Sequence, residues 1–349
     1  MDRRKAASLV LLLIIGVSAA LVFYFNSQQV APQHEEEQTE TKIEPHPFNA
    51  LDWWDIATTF GRITLINDAL VKLYSFGIRY DGTEGYTKAA KYVMDYFDTL
   101  GMEASYWGNH ESVVAVQRGY GNDSRAIVFG AHLDGPEDSA GVDQNAGGCA
   151  VVMATAYMLS RFRLPIDVYY CFYSGNMVFL DSEKTLRALW GSKEVVSKLV
   201  SDGVKVIAAY NFDELLFYDK GQPQSKRLIA QCNVMSAHGY HQTKYLADLL
   251  YAVLLHKGFD MMTITEDTHW QSDHWPFWDR GIPAINVKSG HKPSDITPVV
   301  DTPMSSNYNR TQALYLAEAA AYVAVYLGMQ GNGRPTRQKL QSTLHLGNS

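Results

Sequence analysis

The chain has 349 residues, 46% of them hydrophobic and 19% charged, a globular composition with enough apolar side chains for a sizeable core. Its formal net charge of −7 leaves no basic excess to neutralise phosphates, which argues against nucleic acid as a partner. Cys149, Cys171 and Cys232 are an odd number in apolar surroundings and read as buried thiols; one disulfide stays open, with no pairing legible.

Residues 1–6 include Asp2, Arg3, Arg4 and Lys5 and precede an unbroken apolar run, Ala7 to Phe25. About 19 residues at 1.5 Å rise nearly cover a hydrocarbon core of ~30 Å. The basic cluster predicts a cytoplasmic tip at 1–6, a transmembrane anchor at 7–25 and the rest of the chain outside the cytoplasm, tied to the lipid bilayer. A cleaved signal peptide is the rival reading. The run ends in Val22-Phe23-Tyr24-Phe25, bulky where a cleavage site needs small residues. Residues 26–46 are polar and acidic with Pro32 and Pro45 and read as a flexible stalk. Residues 331–349, rich in Gly, Pro, Gln and Ser, read as a loose tail.

Between them, residues 47–330 alternate helical and strand patterns. Tyr86, Ala89, Ala90, Val93, Met94, Phe97 and Leu100 form one helical stripe, with Gly101 as the stop. Ala126 to Ala131 is a short apolar run and predicts a buried strand. Asn145 suits the cap of a helix running to about Arg161. Asp167 to Tyr173, Val204 to Phe212 and Ile282 to Val287 predict three more buried strands, and Arg310 to Gly328 a final helix. The alternation implies an α/β fold: a three-layer sandwich with a mixed, mostly parallel central sheet and helices on both faces. Sites in such sheets gather at the carboxyl ends of strands, and His132, Gly175 and Asp213 fall just past predicted strands.

His132 and Asp134 are two apart at a strand end, so if the strand continues both point to one face and one can orient the other. Asp143 sits in a Gly-rich loop before a helix, and Asp213 ends a strand. A histidine with two carboxylates is a sound zinc set when water is the fourth ligand. Taken singly, each has ordinary uses in turns and caps.

Several motifs then carry a resemblance. Gly77-Ile78-Arg79-Tyr80-Asp81-Gly82-Thr83-Glu84-Gly85 precedes the Tyr86 helix. His132-Leu133-Asp134, Asp143-Gln144-Asn145-Ala146-Gly147, Asn211-Phe212-Asp213 and Ser272-Asp273-His274-Trp275-Pro276-Phe277 follow, with Gly281-Ile282-Pro283-Ala284 after them. From about Leu73 to Leu327 the chain resembles the co-catalytic zinc aminopeptidase family. That group includes bacterial leucyl aminopeptidases, aminopeptidase Y, glutaminyl cyclases and the protease-like domain of transferrin receptor. The resemblance implies that His132 and Asp213 bind one zinc, that Asp143 bridges it to a second, that Asp134 holds His132, and that Ser272, Asp273 and His274 belong to the substrate pocket.

Where the family has a Glu pair, the general base and a ligand of the second zinc, this chain has Asn176 and Met177. Where its last His ligand falls, before Thr-Pro, this chain has Ile296; His291 is a nearby substitute. Asn takes no proton from water near neutral pH, and a thioether is a poor zinc ligand. Everything peculiar to the second zinc is gone and all three side chains of the first remain. The expectation is a zinc-exopeptidase-like domain that keeps one zinc, has lost its base and binds a peptide or protein terminus. The alternative is an active metal-dependent exopeptidase that uses one zinc or a displaced base, for which Glu137, Asp138, Asp181 and Glu214 are the candidates. His238 and His241 are a weak metal pair without a third ligand. Trp270, Trp275, Phe277 and Trp278 suit core packing or the grip on an apolar group. Asn122 and Asn309 head weak glycosylation triplets.

Overall fold

Strands whose two faces are both buried need helices on both sides, and the central strands of this chain are of that kind. The computed structural model describes residues 61–121, 124–162, 164–176, 189–217, 227–233, 243–266, 272–290, 302–303 and 305–329. The apolar run at 7–25, the stalk, the tail, Trp270, Met177, Asp181, His238, His241, His291 and Ile296 lie outside these residues.

In chain order the elements are α1 (Ile63–Tyr74), α2 (Glu84–Thr99), β1 (Glu103–Trp107), β2 (Ser112–Gln117), β3 (Arg125–His132), α3 (Gly147–Leu159), β4 (Asp167–Tyr173) and α4 (Trp190–Ser201). Then come β5 (Lys205–Phe212), β6 (Leu228–Cys232), α5 (Lys244–His256), β7 (Met262–Glu266), the short α6 (Trp275–Trp278), β8 (Ala284–Ser289) and α7 (Arg310–Met329). The strands form one sheet in the order β1-β2-β4-β3-β5-β8-β6-β7. β4, β3, β5 and β8 run parallel to one another. β1 and β2 add an antiparallel hairpin at one end, and β6 joins β8 antiparallel at the other. The sheet is therefore mixed and mostly parallel, as the alternation of elements implied.

Alternation along β3 and β4 feeds two cores. Ile127, Phe129 and Ala131 with Val168, Tyr170 and Phe172 pack against α1, α2, α3, α5 and α7. Ala126 and Val128 with Tyr169, Cys171 and Tyr173 pack against Val195, Val196 and Leu199 of α4 and Phe277 and Trp278 of α6. Phe277 and Trp278 are thus core residues, and the Trp278 indole donates to the Ala284 carbonyl at 2.8 Å. The three cysteines are buried thiols. Among the described residues no helix is long and apolar enough to cross a membrane.

Three local features refine the sequence reading. β8 begins at Ala284 rather than Ile282, because Pro283 has no N–H for the ladder; its carbonyl accepts from Ala209 instead. Asn145 does cap α3, its Oδ1 accepting the Gly148 N–H at 3.0 Å. Asn309 caps α7 through Oδ1, which accepts from Gln312 N at 3.2 Å.

Candidate functional site

β3, β4 and β5 lie side by side and end together, so residues just past them converge. His132 is the last residue of β3, and Asp213 follows β5. Both are buried, with His132 Nε2 and Asp213 Oδ1 3.2 Å apart. Ser272 donates its hydroxyl to Asp213 Oδ2 at 2.8 Å, and Asn211 donates to Ser272 Oγ at 3.1 Å and to Asn286 Oδ1 at 2.8 Å.

The strand stops at His132, so the expectation that His132 and Asp134 share a strand face is corrected. The chain turns, and the ring is held by both ends of one residue: Nδ1 donates to the Asp134 carbonyl at 2.9 Å and lies 3.3 Å from Asp134 Oδ1. Burial opposes a charge on His132, but Asp134 and Asp213 outweigh it and push the imidazole up to about 10. The locale favours a cation.

Asp143 lies in the turn between Gly141 and α3, where Gly141 supplies a left-handed φ of 58°. Its Oδ1 accepts the N–H groups of Leu216 (3.0 Å) and Phe217 (3.2 Å), which ties this turn to the segment after Asp213. Asn145 reinforces the tie, donating to Phe212 O at 2.7 Å and accepting from Glu214 N.

Asn176 is fully buried two residues past Ser174 at the end of β4, and its Nδ2 donates to Asp273 Oδ2 at 2.6 Å. The position that the resemblance assigns to a base therefore holds a hydrogen-bond donor. Burial pushes Asp273 up to about 6, against the lowering influence of His132 and Ser192. Asp273 Oδ1 has no hydrogen-bond partner among the described residues. His274 is buried as well and meets the Trp278 ring edge-on, centroids 4.5 Å apart.

Of the candidate bases, Glu137 and Asp138 are exposed loop residues. Glu214, by contrast, is buried. It has a left-handed φ of 50°, and its carboxylate accepts from the Gln144 side chain. Motif reading did not find the cluster beside Ser174. Asp81 accepts from Ser174 Oγ (3.0 Å) and His110 Nδ1 (2.9 Å), and His110 stacks on Trp190 with centroids 4.7 Å apart. Its members come from segments 29 and 93 residues apart, and no local pattern announces them.

Among the described residues no group of three or more His, Cys, Asp or Glu side chains is gathered as a metal cage. The donors themselves suit zinc. Bonds of 2.0–2.1 Å at tetrahedral angles place two ligand atoms about 3.3 Å apart, and His132 Nε2 and Asp213 Oδ1 stand at 3.2 Å. Asp143, the third donor that the resemblance implies, is not gathered with these two into a cage; its Oδ1 is taken by the Leu216 and Phe217 amides.

The chain is an α/β sandwich that brings a histidine and acidic side chains to the carboxyl ends of its central strands. The sequence profile of Peptidase family M28 matches residues 112–322, more than half of the chain, and the chain belongs to that family. Solved structures agree in fold. LapA aminopeptidase of Legionella pneumophila superposes with a TM-score of 0.67 at 17% identity, covering 86% of this chain and 79% of that one. LapB of the same organism gives 0.65 at 20% identity, covering 82% and 77%. A glutaminyl cyclase of Macrostomum lignano gives 0.64 at 14% identity, covering 81% and 94%.

Proposed function

We propose that this chain is a catalytically impaired M28 domain that holds one zinc and binds a peptide or protein terminus at the carboxyl edge of its sheet. The single observation that carries the reading is the Asn176 amide donating to Asp273 at the position where the family resemblance calls for a base. His132, Asp213 and Asp143 would hold the ion. When bound, zinc supplies a Lewis acid that polarises a carbonyl oxygen. The protein's own residues orient the donors: Asp134 aims His132, and Ser272 fixes Asp213. Asn176 neither takes a proton from water nor returns one to a leaving amine, and losing a general base alone costs roughly 10²–10⁴ in rate. The apolar run at 7–25 would anchor the domain in a bilayer, facing away from the cytoplasm.

The test is metal content and turnover of the purified full chain. One zinc per chain, no release of amino acids from aminoacyl chromogenic substrates, and hydrolysis gained by Asn176→Glu with Met177→Glu are the expected results. Two ions per chain with rapid wild-type turnover would refute the reading.

A second reading keeps turnover through a displaced base. It is favoured by Asp273, a fully buried carboxyl held near 6 whose Oδ1 has no hydrogen-bond partner among the described residues. That value suits proton transfer at neutral pH. Under this reading the wild type hydrolyses substrate and Asp273→Asn slows it at least 10²-fold; an unchanged rate rejects it.

A further inference from the structure

Arg79 is fully buried, the largest of the completely enclosed side chains among the described residues. It lies between α1 and α2. Its Nε donates to the Leu133 carbonyl at 3.1 Å. One terminal nitrogen donates to Leu73 O at 3.3 Å and to Ala140 O, and the other donates to Gly141 O at 2.9 Å. Its own carbonyl accepts from Gly135 N at 3.0 Å.

These bonds reach three segments. Leu73 is near the end of α1, Leu133 and Gly135 belong to the loop of His132 and Asp134, and Ala140 and Gly141 lead into Asp143. A buried guanidinium is an expensive way to fill space, since apolar side chains of similar volume pack as well without the desolvation penalty. The planar fork does what they cannot do: it fixes several carbonyls in direction and distance at once. Gly141 is held a second time, its carbonyl also accepting from Ala146 N at 3.0 Å, so the turn bearing Asp143 is pinned on both sides.

We propose that Arg79 is a positioning residue that ties the His132 loop to the Asp143 turn and so supports the affinity of the zinc donors those segments carry. This rests on the reading that His132, Asp143 and Asp213 hold a zinc. Arg79 touches none of those side chains through the bonds above; it acts through their backbone.

The experiment is competitive zinc titration of the full-length protein in detergent, for the wild type, Arg79→Lys and Arg79→Ala, beside thermal unfolding of the zinc-free forms. Lys offers one compact ammonium in place of the fork, so Arg79→Lys should bind zinc at least tenfold more weakly while the zinc-free protein still melts cooperatively. Added guanidinium ion should restore part of the affinity of Arg79→Ala, and an alkylammonium of similar size should not. Zinc affinity unchanged in a folded variant overturns the proposal. If the variants melt early, the rescue decides: no recovery of affinity with guanidinium below the melting range also overturns it. A wild type that takes up no zinc overturns the one-zinc reading and this proposal together, whereas wild-type binding with unaffected variants removes this proposal alone.

Discussion

Asn176→Asp is nearly isosteric, yet it should change the proton count of the folded protein. The substitution puts an oxygen where Nδ2 now sits, 2.6 Å from Asp273 Oδ2. Two full charges at that spacing repel by roughly 6 kcal/mol at an effective dielectric near 20, or about 4–5 pKa units. The pair therefore keeps one proton at neutral pH. A carboxyl whose folded pKa is raised stabilises the fold below its unfolded value, near 4, and that contribution is lost as pH rises through the folded value. In the wild type the loss levels off within about a pH unit above 6. In the variant it continues past 8. Relative to wild type, the variant should lose stability at a rate approaching about 1.4 kcal/mol per pH unit, about 2 kcal/mol in all between pH 6 and 8. Urea unfolding of both chelator-treated proteins, followed by tryptophan fluorescence at pH 6, 7 and 8, measures it, and the contribution of His132 cancels in the difference. A difference that stays constant with pH would mean that the two side chains do not share a dry contact, and the reasoning fails.

Other outcomes follow from the same geometry. Zinc has to displace the proton that Asp134 and Asp213 hold on His132 up to about 10, so apparent affinity should rise roughly tenfold per pH unit between 6 and 8; calorimetry in buffers of different ionisation heat detects the released proton, and a flat profile speaks against His132 as a donor. Asp143→Asn keeps an oxygen for the Leu216 and Phe217 amides and should stay within about 1 kcal/mol of wild type while losing zinc, whereas Asp143→Ala should cost about 1–3 kcal/mol on unfolding. Gly148→Ala would put a methyl group 2.5 Å from Asn145 Oδ1 and against the Phe212 carbonyl. It should cost about 1–3 kcal/mol, read as a lowered melting temperature, and a neutral result would show that the Asn145 tie is dispensable.

The buried strands β3, β4 and β5 are legible because both faces are covered, which leaves unbroken apolar runs. β2 carries a similar run, Val113 to Val116, but nothing in it declares that it pairs antiparallel to β4. β1 is largely exposed at the end of the sheet and has no run to read. At the site, strand ends could be located from the sequence, whereas side-chain partners could not. The bond made by Asn176, at the position the resemblance assigns to a base, joins it to Asp273, 97 residues away. Arg79 shows the limit best: its motif was visible, but its work depends on carbonyls 54 to 62 residues downstream.

The candidate zinc side chains are also employed by the fold. Asp143 seats two amides of the stretch after β5, Asp213 takes the Ser272 hydroxyl, and Asp134 and Asp213 enclose a protonated His132. Even without metal, removing any of these three carboxylates or the imidazole would strand buried dipoles or charge. The presence of these residues therefore serves architecture as well as any metal chemistry, and ion stoichiometry is the quantity that separates the two.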